Sequence, residues 1–197
     1  MKHKTLVVAT RNIGKVREFS LILKGVYEEI LSLANFDDIP KIEETGLSFR
    51  ENALIKAETV SGFLGVDVIG DDSGLVVDAL GGAPGIYSAR YAGERASDDE
   101  NNEKLLSELK AEKNRAAKFI CCIALVLADG TREFFEGECK GTILREKRGS
   151  GGFGYDPVFY VSQYAKTMAE IDPSIKNRIS HRAIASGKLK SYFSTLK

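Results

Sequence analysis

The 197-residue chain is 43% hydrophobic, enough to bury a continuous core, and its length suits one domain over 1–197 with room for two lobes. Lys plus Arg and Asp plus Glu each number 28, so no summed field draws in a nucleic acid polymer, although one small triphosphate needs only a few local cations. Cys121, Cys122 and Cys139 lack C-x-x-C spacing and read as buried reduced thiols, while the apolar runs over 6–9 and 119–128 are too short for a signal-peptide core or a membrane span. A soluble cytoplasmic protein is expected, with no membrane partner.

Residues 5–9 are β-branched and apolar and predict a strand, followed by a polar loop over 10–14 and a helix over 15–23. Ser48 with Glu51 three residues on predicts a capping box. Phe49, Ala53, Ala57, Val60 and Leu64 then follow at helical spacing, with Gly65 as the stop. Asn52 and Lys56 lie one turn apart on that helix and share its polar face.

Residues 67–70 predict a strand that Asp71-Asp72-Ser73-Gly74 breaks, so that two aspartates stand at a strand end, and residues 75–80 resume extended before a loop over 81–85. Ser97 with Glu100 predicts a second capping box, for a helix reaching about residue 110. Segments 116–128 and 132–139 pair around Asp129-Gly130 as a hairpin, which argues for a mixed sheet. A glycine-rich loop over 149–154 precedes Tyr155-Asp156-Pro157. From Pro173 on the tail is mostly helical, with Ser180 as a cap and Leu189, Phe193 and Leu196 facing the core.

Four constellations carry chemistry. In Thr10-Arg11-Asn12-Ile13-Gly14-Lys15 a hydroxyl, an amide, a glycine and a lysine meet where free N–H groups of a helix start suit phosphate. It is not a Walker loop, since Val16 follows the lysine, and an ordinary helix cap is the other use of such residues. The acidic pairs Glu43-Glu44 and Asp71-Asp72 offer carboxylates to Mg2+, which takes one or two side chains, waters and substrate oxygens. Unless they converge in space, they are a surface pair and a turn cap.

The run from Gly149 to Gly154 satisfies G-x-G-x-x-G but lacks the following helix, because Pro157 opposes one, so a dinucleotide fold is disfavoured. A flexible loop placing Phe153 against a flat ring with Asp156 beside it is the better use, with Phe153, Tyr155 and Phe159 as plain core residues the alternative. Lys176 with Ser180-His181-Arg182 adds two cations, a hydroxyl and a titratable ring near a helix start, or else a solvated lysine and a locally bonded histidine.

T-x-N-x-G-K, E-E-T-G-x-S-F-x-E-N-A, D-D-S-G-L, G-G-A-P-G-I-Y-S-A-R-Y, G-G-F-G-Y-D-P and S-H-R follow one another in this order from Thr10 to Arg182, within a resemblance that runs from Val7 to about Ala185. The chain thereby resembles the Ham1/RdgB-like inosine triphosphate pyrophosphatase family. The resemblance implies an α/β fold with a mixed central sheet and flanking helices, elongated and two-lobed with the active cleft between the lobes, and a homodimer. It implies hydrolysis of purine nucleoside triphosphates such as ITP, dITP and XTP to the monophosphate and pyrophosphate. Carried over by position, Thr10, Arg11, Asn12, Ile13, Gly14 and Lys15 form the phosphate loop, Glu44 and Asp72 bind Mg2+, and Asp72 is the base. Lys56 and Ser73 contact substrate, and Phe153, Gly154, Tyr155, Asp156, Lys176, His181 and Arg182 hold the base and remaining phosphates. Arg11 departs from the family, which often has a small residue or Asn there. A donor pocket of Arg182 and backbone N–H groups near Phe153 and Asp156 is expected to favour a 6-oxo purine. A Maf-like or broad pyrophosphatase and a non-catalytic nucleotide sensor are the competing readings.

Overall fold

A computed structural model describes residues 3–195, so the expectation for Leu196 lies outside the described residues. The strands are His3–Val8 (β1), Tyr27–Ser32 (β2), Asp67–Val77 (β3), Ala116–Val126 (β4), Arg132–Ile143 (β5), Phe159–Val161 (β6) and Lys166–Thr167 (β7). The helices are Ile13–Ile22 (α1), Phe49–Leu64 (α2), Asp98–Glu108 (α3), Pro173–Ile179 (α4) and His181–Thr195 (α5). All seven strands lie in one sheet in the order β2-β1-β3-β4-β5-β6-β7. It is mixed: β1 runs parallel to β2 and β3, whereas β6 runs antiparallel to β5 and β7. Among the described residues no helix is long and apolar enough to cross a membrane.

The chain divides into two compact units. One holds the described chain up to Asp72, Cys121–Gly137 and the described chain from Arg182 on; the other holds Ser73–Ile120 and Glu138–His181. In the first unit strand periodicity sorts the core onto the two faces of the sheet. Leu6, Val8, Ile69, Cys121, Ile123 and Leu125 pack with Phe19 of α1 and with Ala185, Leu189 and Phe193 of α5. Their neighbours Val7, Val68, Cys122, Ala124 and Val126 pack instead with Ala53, Ala57 and Val60 of α2. Both faces are covered there, so residues 6–9 read as an unbroken apolar run, while the strand's start at His3-Lys4-Thr5 is polar. In the second unit Leu75, Val77, Leu105, Phe119, Ile143, Tyr155 and Phe159 share a separate core.

The helix starts follow their caps. The α1 helix opens two residues before the predicted start, because Asn12 caps it by accepting from the Lys15 N–H, whereas the apolar pattern begins only at Val16. Ser48 caps α2 through the Glu51 N–H, and Gly65 closes it. The expected capping box is only half made there: Glu51 Oε2 takes the Leu47 N–H at 2.6 Å. The box of Ser97 and Glu100 is complete.

One expectation fails. β3 runs without interruption from Asp67 to Val77, through Asp71-Asp72-Ser73-Gly74, and a 3-10 turn over Asp78–Leu80 follows. The aspartates are therefore mid-strand and buried. Carboxylates and a glycine signal a break only while nothing pairs with them, and here each aspartate meets a cation.

Candidate active site

Gly70 sets the geometry of the first cluster. A Cβ at that position would stand 2.0 Å from the carbonyl oxygen of Ala53, so only glycine lets α2 lie directly on β3. That contact brings Asn52 and Lys56 of α2 to the adjoining stretch of the strand. The polar face predicted for the helix is not solvated: Asn52 is 0% and Lys56 is 9% exposed.

Alternation along β3 sends Asp71 and Asp72 to opposite faces. Asp72 turns toward α2. Its Oδ1 accepts from Lys56 Nζ at 2.7 Å, and its Oδ2 accepts from Asn52 Nδ2 at 3.5 Å. Asp71 turns toward α1 and α5, where Oδ1 meets Lys15 Nζ at 2.9 Å and Oδ2 meets Arg182 Nε at 2.6 Å. The other end of the Arg182 guanidinium reaches Glu18 Oε2 at 3.0 Å. The Asp71 carbonyl also accepts from Lys56 Nζ at 3.2 Å.

Glu44 joins the same ammonium, with Oε1 3.1 Å from Lys56 Nζ. Asn52 helps to hold the segment that carries it, since Asn52 Oδ1 accepts the Gly46 N–H at 2.8 Å. Glu43 behaves differently: it faces solvent, 3.6 Å from the exposed Lys41. Of the two acidic pairs, Glu44 and Asp72 are thus the carboxylates that converge on one point, and Lys56 is the cation that draws them there.

The electrostatics follow from burial. Loss of water raises the Asp72 carboxyl above the usual aspartate range, while the Lys56 charge pulls the other way. Burial alone would discharge Lys56, but Asp72, Glu44 and Asp71 outweigh it and keep the ammonium above the ordinary lysine value. Burial opposes the Arg182 charge, and the carboxylates of Asp71 and Glu18 hold it.

Oxygen donors from Glu44 and Asp72 suit a hard divalent cation. Among the described residues no group of three or more His, Cys, Asp or Glu is arranged to hold a metal. A cation here would therefore take two carboxylates and complete its shell with water or ligand oxygens, as Mg2+ does.

At the start of α1, Asn12 Oδ1 caps the Lys15 N–H and the Asn12 N–H donates to Thr10 Oγ1, each at 3.1 Å. The N–H groups of Ile13 and Gly14 fall in the first turn, where a helix supplies no acceptor of its own. Ile13 is 81% exposed and Arg11 is exposed as well.

The second unit holds the other cluster. The loop before β6 bends so that Asp156 Oδ2 accepts the Phe153 N–H at 2.9 Å and Lys176 Nζ at 2.5 Å. Gly152 takes φ +77°, a conformation that favours glycine, and a Cβ there would also lie 2.0 Å from that same oxygen and displace it. Phe153 is 43% exposed, and Lys176 Nζ lies 5.1 Å from its ring centroid. Tyr155 and Phe159 are buried core residues, the former anchored by its hydroxyl to the Ser88 carbonyl at 2.8 Å. His181 stacks on Phe119 with centroids 4.9 Å apart, and Ser73, half-buried, directly follows Asp72.

Two parts of the expected donor pocket are engaged elsewhere. Arg182 is 3% exposed and is bonded to Asp71 and Glu18. The N–H groups of Phe153, Gly154 and Asp156 go to Asp156 Oδ2, Asp98 Oδ2 and the Phe153 carbonyl. The sequence offered Asp71 to Mg2+ as half of an acidic pair, whereas the structure turns it to Lys15 and Arg182, on the face opposite Asp72. Asn52 and Glu18 had no role in that reading, and of the two only Asn52 carried a signal, its one-turn spacing from Lys56.

The Ham1 family model matches residues 6–192. A dITP/XTP pyrophosphatase of Geobacter sulfurreducens is 53% identical over 189 residues, covering 95% of each chain. One of Bacillus anthracis is 49% identical over 191 residues, again 95% of each. The solved structure of the Staphylococcus aureus Ham1 protein superposes with a TM-score of 0.91 at 42% identity, covering 98% of this chain and 100% of that one. A HAM1 protein from Coxiella burnetii gives 0.91 at 40%, with 99% and 100% covered. The chain belongs to the Ham1 family.

Proposed function

We propose that the whole chain acts as one pyrophosphatase domain. It hydrolyses the triphosphates of inosine, xanthosine and their deoxy forms to the monophosphate and pyrophosphate, with Mg2+ held by Glu44 and Asp72. The observation that carries this reading is the convergence of Glu44 and Asp72 on Lys56 beside a helix start rich in N–H donors. A site that merely bound a triphosphate would gain nothing from carboxylates there unless a cation came between. Relatives about half identical that bear the name dITP/XTP pyrophosphatase support the reaction and the substrate class.

When bound, Mg2+ would neutralise charge on the phosphate oxygens. Asp72 would orient a water and take its proton as the water attacks the α-phosphorus and pyrophosphate departs. Burial raises its carboxyl above the usual aspartate range, the direction that favours taking up a proton. Thr10 and Asn12 shape the loop, Ile13 and Gly14 offer N–H groups to phosphate, and Lys15 and Lys56 stabilise the developing charge. Arg11 adds a cation at the loop, and Ser73 contacts substrate.

Base recognition falls to the second unit, where Phe153 offers a partly exposed ring and Gly154, Tyr155 and Asp156 hold its loop. Hypoxanthine and xanthine carry an oxo acceptor where adenine carries an amino donor. Lys176 and His181 are the donors assigned to it, and Arg182 serves the first unit by holding Asp71 and Glu18. Reduced buried thiols fit the cytoplasm. The family resemblance supports a homodimer, which sedimentation would test.

The experiment is pyrophosphate release from ITP, XTP, ATP, GTP, CTP and TTP, each with Mg2+ and with chelator. Release from ITP and XTP that chelator abolishes is expected. Equal release across the bases would keep the chemistry and remove the selectivity. Binding of ITP without release would make the chain a sensor.

A further inference from the structure

Within the loop that carries Phe153 and Asp156, one helix grips a single residue at both of its polar groups. The Gly154 N–H donates to Asp98 Oδ2 at 2.6 Å, and the Gly154 carbonyl accepts from Asn102 Nδ2 at 2.8 Å. Asp98 and Asn102 are one turn apart on α3, so they stand on the same face. The pairing is chemically complementary: an ionised carboxylate only accepts, which suits an N–H, and the amide nitrogen donates, which suits a carbonyl.

The Asn102 amide can point only one way. Its nitrogen donates to two carbonyls, those of Asp98 at 2.7 Å and Gly154 at 2.8 Å, so exchanging nitrogen and oxygen would set oxygen against oxygen twice. In this orientation Oδ1 is buried with no hydrogen-bond partner among the described residues. A buried orphan acceptor is unfavourable, and an apolar side chain of similar volume would avoid it. Capping does not require Asn102 either, because Ser97 and Glu100 already form the box that starts α3. What the asparagine supplies is its grip on Gly154.

A shift at Gly154 moves its neighbours. On one side lies Phe153, whose N–H is bonded to Asp156, and Asp156 in turn holds Lys176. We infer that Asp98 and Asn102 are positioning residues that set base preference by fixing the Phe153 ring and the Asp156–Lys176 pair. This inference rests on the assignment of that loop to base recognition.

The test measures pyrophosphate release from ITP and ATP by the full-length enzyme and by Asp98→Ala, Asn102→Ala, Asp98→Asn and Phe153→Ala. Loss of one grip on Gly154 is expected to raise KM for ITP about tenfold. The ITP-to-ATP ratio of kcat/KM should fall by a similar factor, with kcat for ITP held within about twofold. Asp98→Asn keeps an oxygen acceptor for the Gly154 N–H and should restore KM. Because Asp98 is exposed, its alanine variant will report even if Asn102→Ala fails to fold. Unchanged KM and ratio in Asp98→Ala would overturn the inference alone, provided that Phe153→Ala raises KM. An equal fall in kcat for both nucleotides with KM unchanged would also overturn it. If Phe153→Ala leaves KM for ITP unchanged, the base-loop reading falls and takes the inference with it.

Discussion

Lys56 Nζ lies 2.7 Å from Asp72 Oδ1 and 3.1 Å from Glu44 Oε1, so one buried ammonium keeps two carboxylates together. Lys56→Met preserves much of the volume and removes the charge, leaving the acids to repel each other. Breaking a buried pair from one side should cost about 3 kcal/mol, read as a lower urea midpoint. A divalent cation at the same carboxylates would take over the role of the ammonium. Added Mg2+ should therefore raise the melting temperature of Lys56→Met more than that of the native protein. If Mg2+ shifts neither, Glu44 and Asp72 are not its ligands.

Asp72→Asn separates chemistry from structure. The amide has nearly the same shape and can still accept from Lys56, and burial already opposes the Asp72 anion. Melting should fall no further than in Lys56→Met, since Lys56 loses the charge of Asp72 but keeps Glu44 and the Asp71 carbonyl. An amide cannot take a proton from water, so turnover of ITP should fall by about 10²- to 10⁴-fold, the usual contribution of a general base. Near-normal turnover in this variant would remove Asp72 as the base.

Gly70→Ala tests whether the contact of α2 with β3 builds the site. The added methyl would meet Ala53 backbone, its nearest neighbour being that carbonyl oxygen at 2.0 Å, and backbone cannot relieve a clash by changing rotamer. The helix must move, at about 1–3 kcal/mol. Lys56 moves with it, so pyrophosphate release should drop well beyond the loss explained by unfolded protein. A variant with a lowered urea midpoint and full specific activity in its folded fraction would show that the site tolerates the displacement.

These residues show where the sequence was readable. β4 was recognised from its long apolar run and α2 from Ala53, Ala57 and Val60 at helical spacing, because burial of a repeating face is a local pattern. β3 was misread at Asp71 and Asp72, whose partners are distant in the chain: Lys56 and Lys15 before them, Arg182 after. No local signal says that a carboxylate will be neutralised from another element. The polar face of Asn52 and Lys56 was placed correctly and its burial was missed for the same reason. Glu43 and Glu44 are neighbours of identical chemistry, and only the turn into α2 decides which of them meets Lys56.

Burial also controls the thiols. It pushes the Cys139 thiol from an ordinary 9.0 up to about 11, and burial together with the Glu136 charge pushes Cys122 up to about 12. Only the thiolate reacts readily, so iodoacetamide at pH 8 should label these two slowly in the native protein and quickly in urea. Their folded values lie above the unfolded one. The stability they contribute is therefore complete below pH 9 and is lost as the pH climbs through about 11 to 12. Replacing both with alanine should flatten the fall in urea midpoint between pH 8 and pH 11. An unchanged slope would assign that fall to other groups.

Arg182 tests the division of labour between chemistry and support. Its Nε bonds Asp71 and its terminal nitrogen bonds Glu18, at 2.6 and 3.0 Å. A lysine ammonium lacks the planar fork that reaches both. Arg182→Lys should leave either the partly exposed Glu18 or the Lys15-bound Asp71 with one partner fewer and lower stability by about 1–2 kcal/mol in urea titration. Asp71 also holds Lys15, so KM should rise for ITP and ATP alike and their ratio should stay constant. A direct contact between Arg182 and the base predicts the reverse, a stable variant whose preference for ITP over ATP collapses. Measuring the urea midpoint and the two kcat/KM values on one preparation decides between a residue that reads the base and one that holds Asp71 in place.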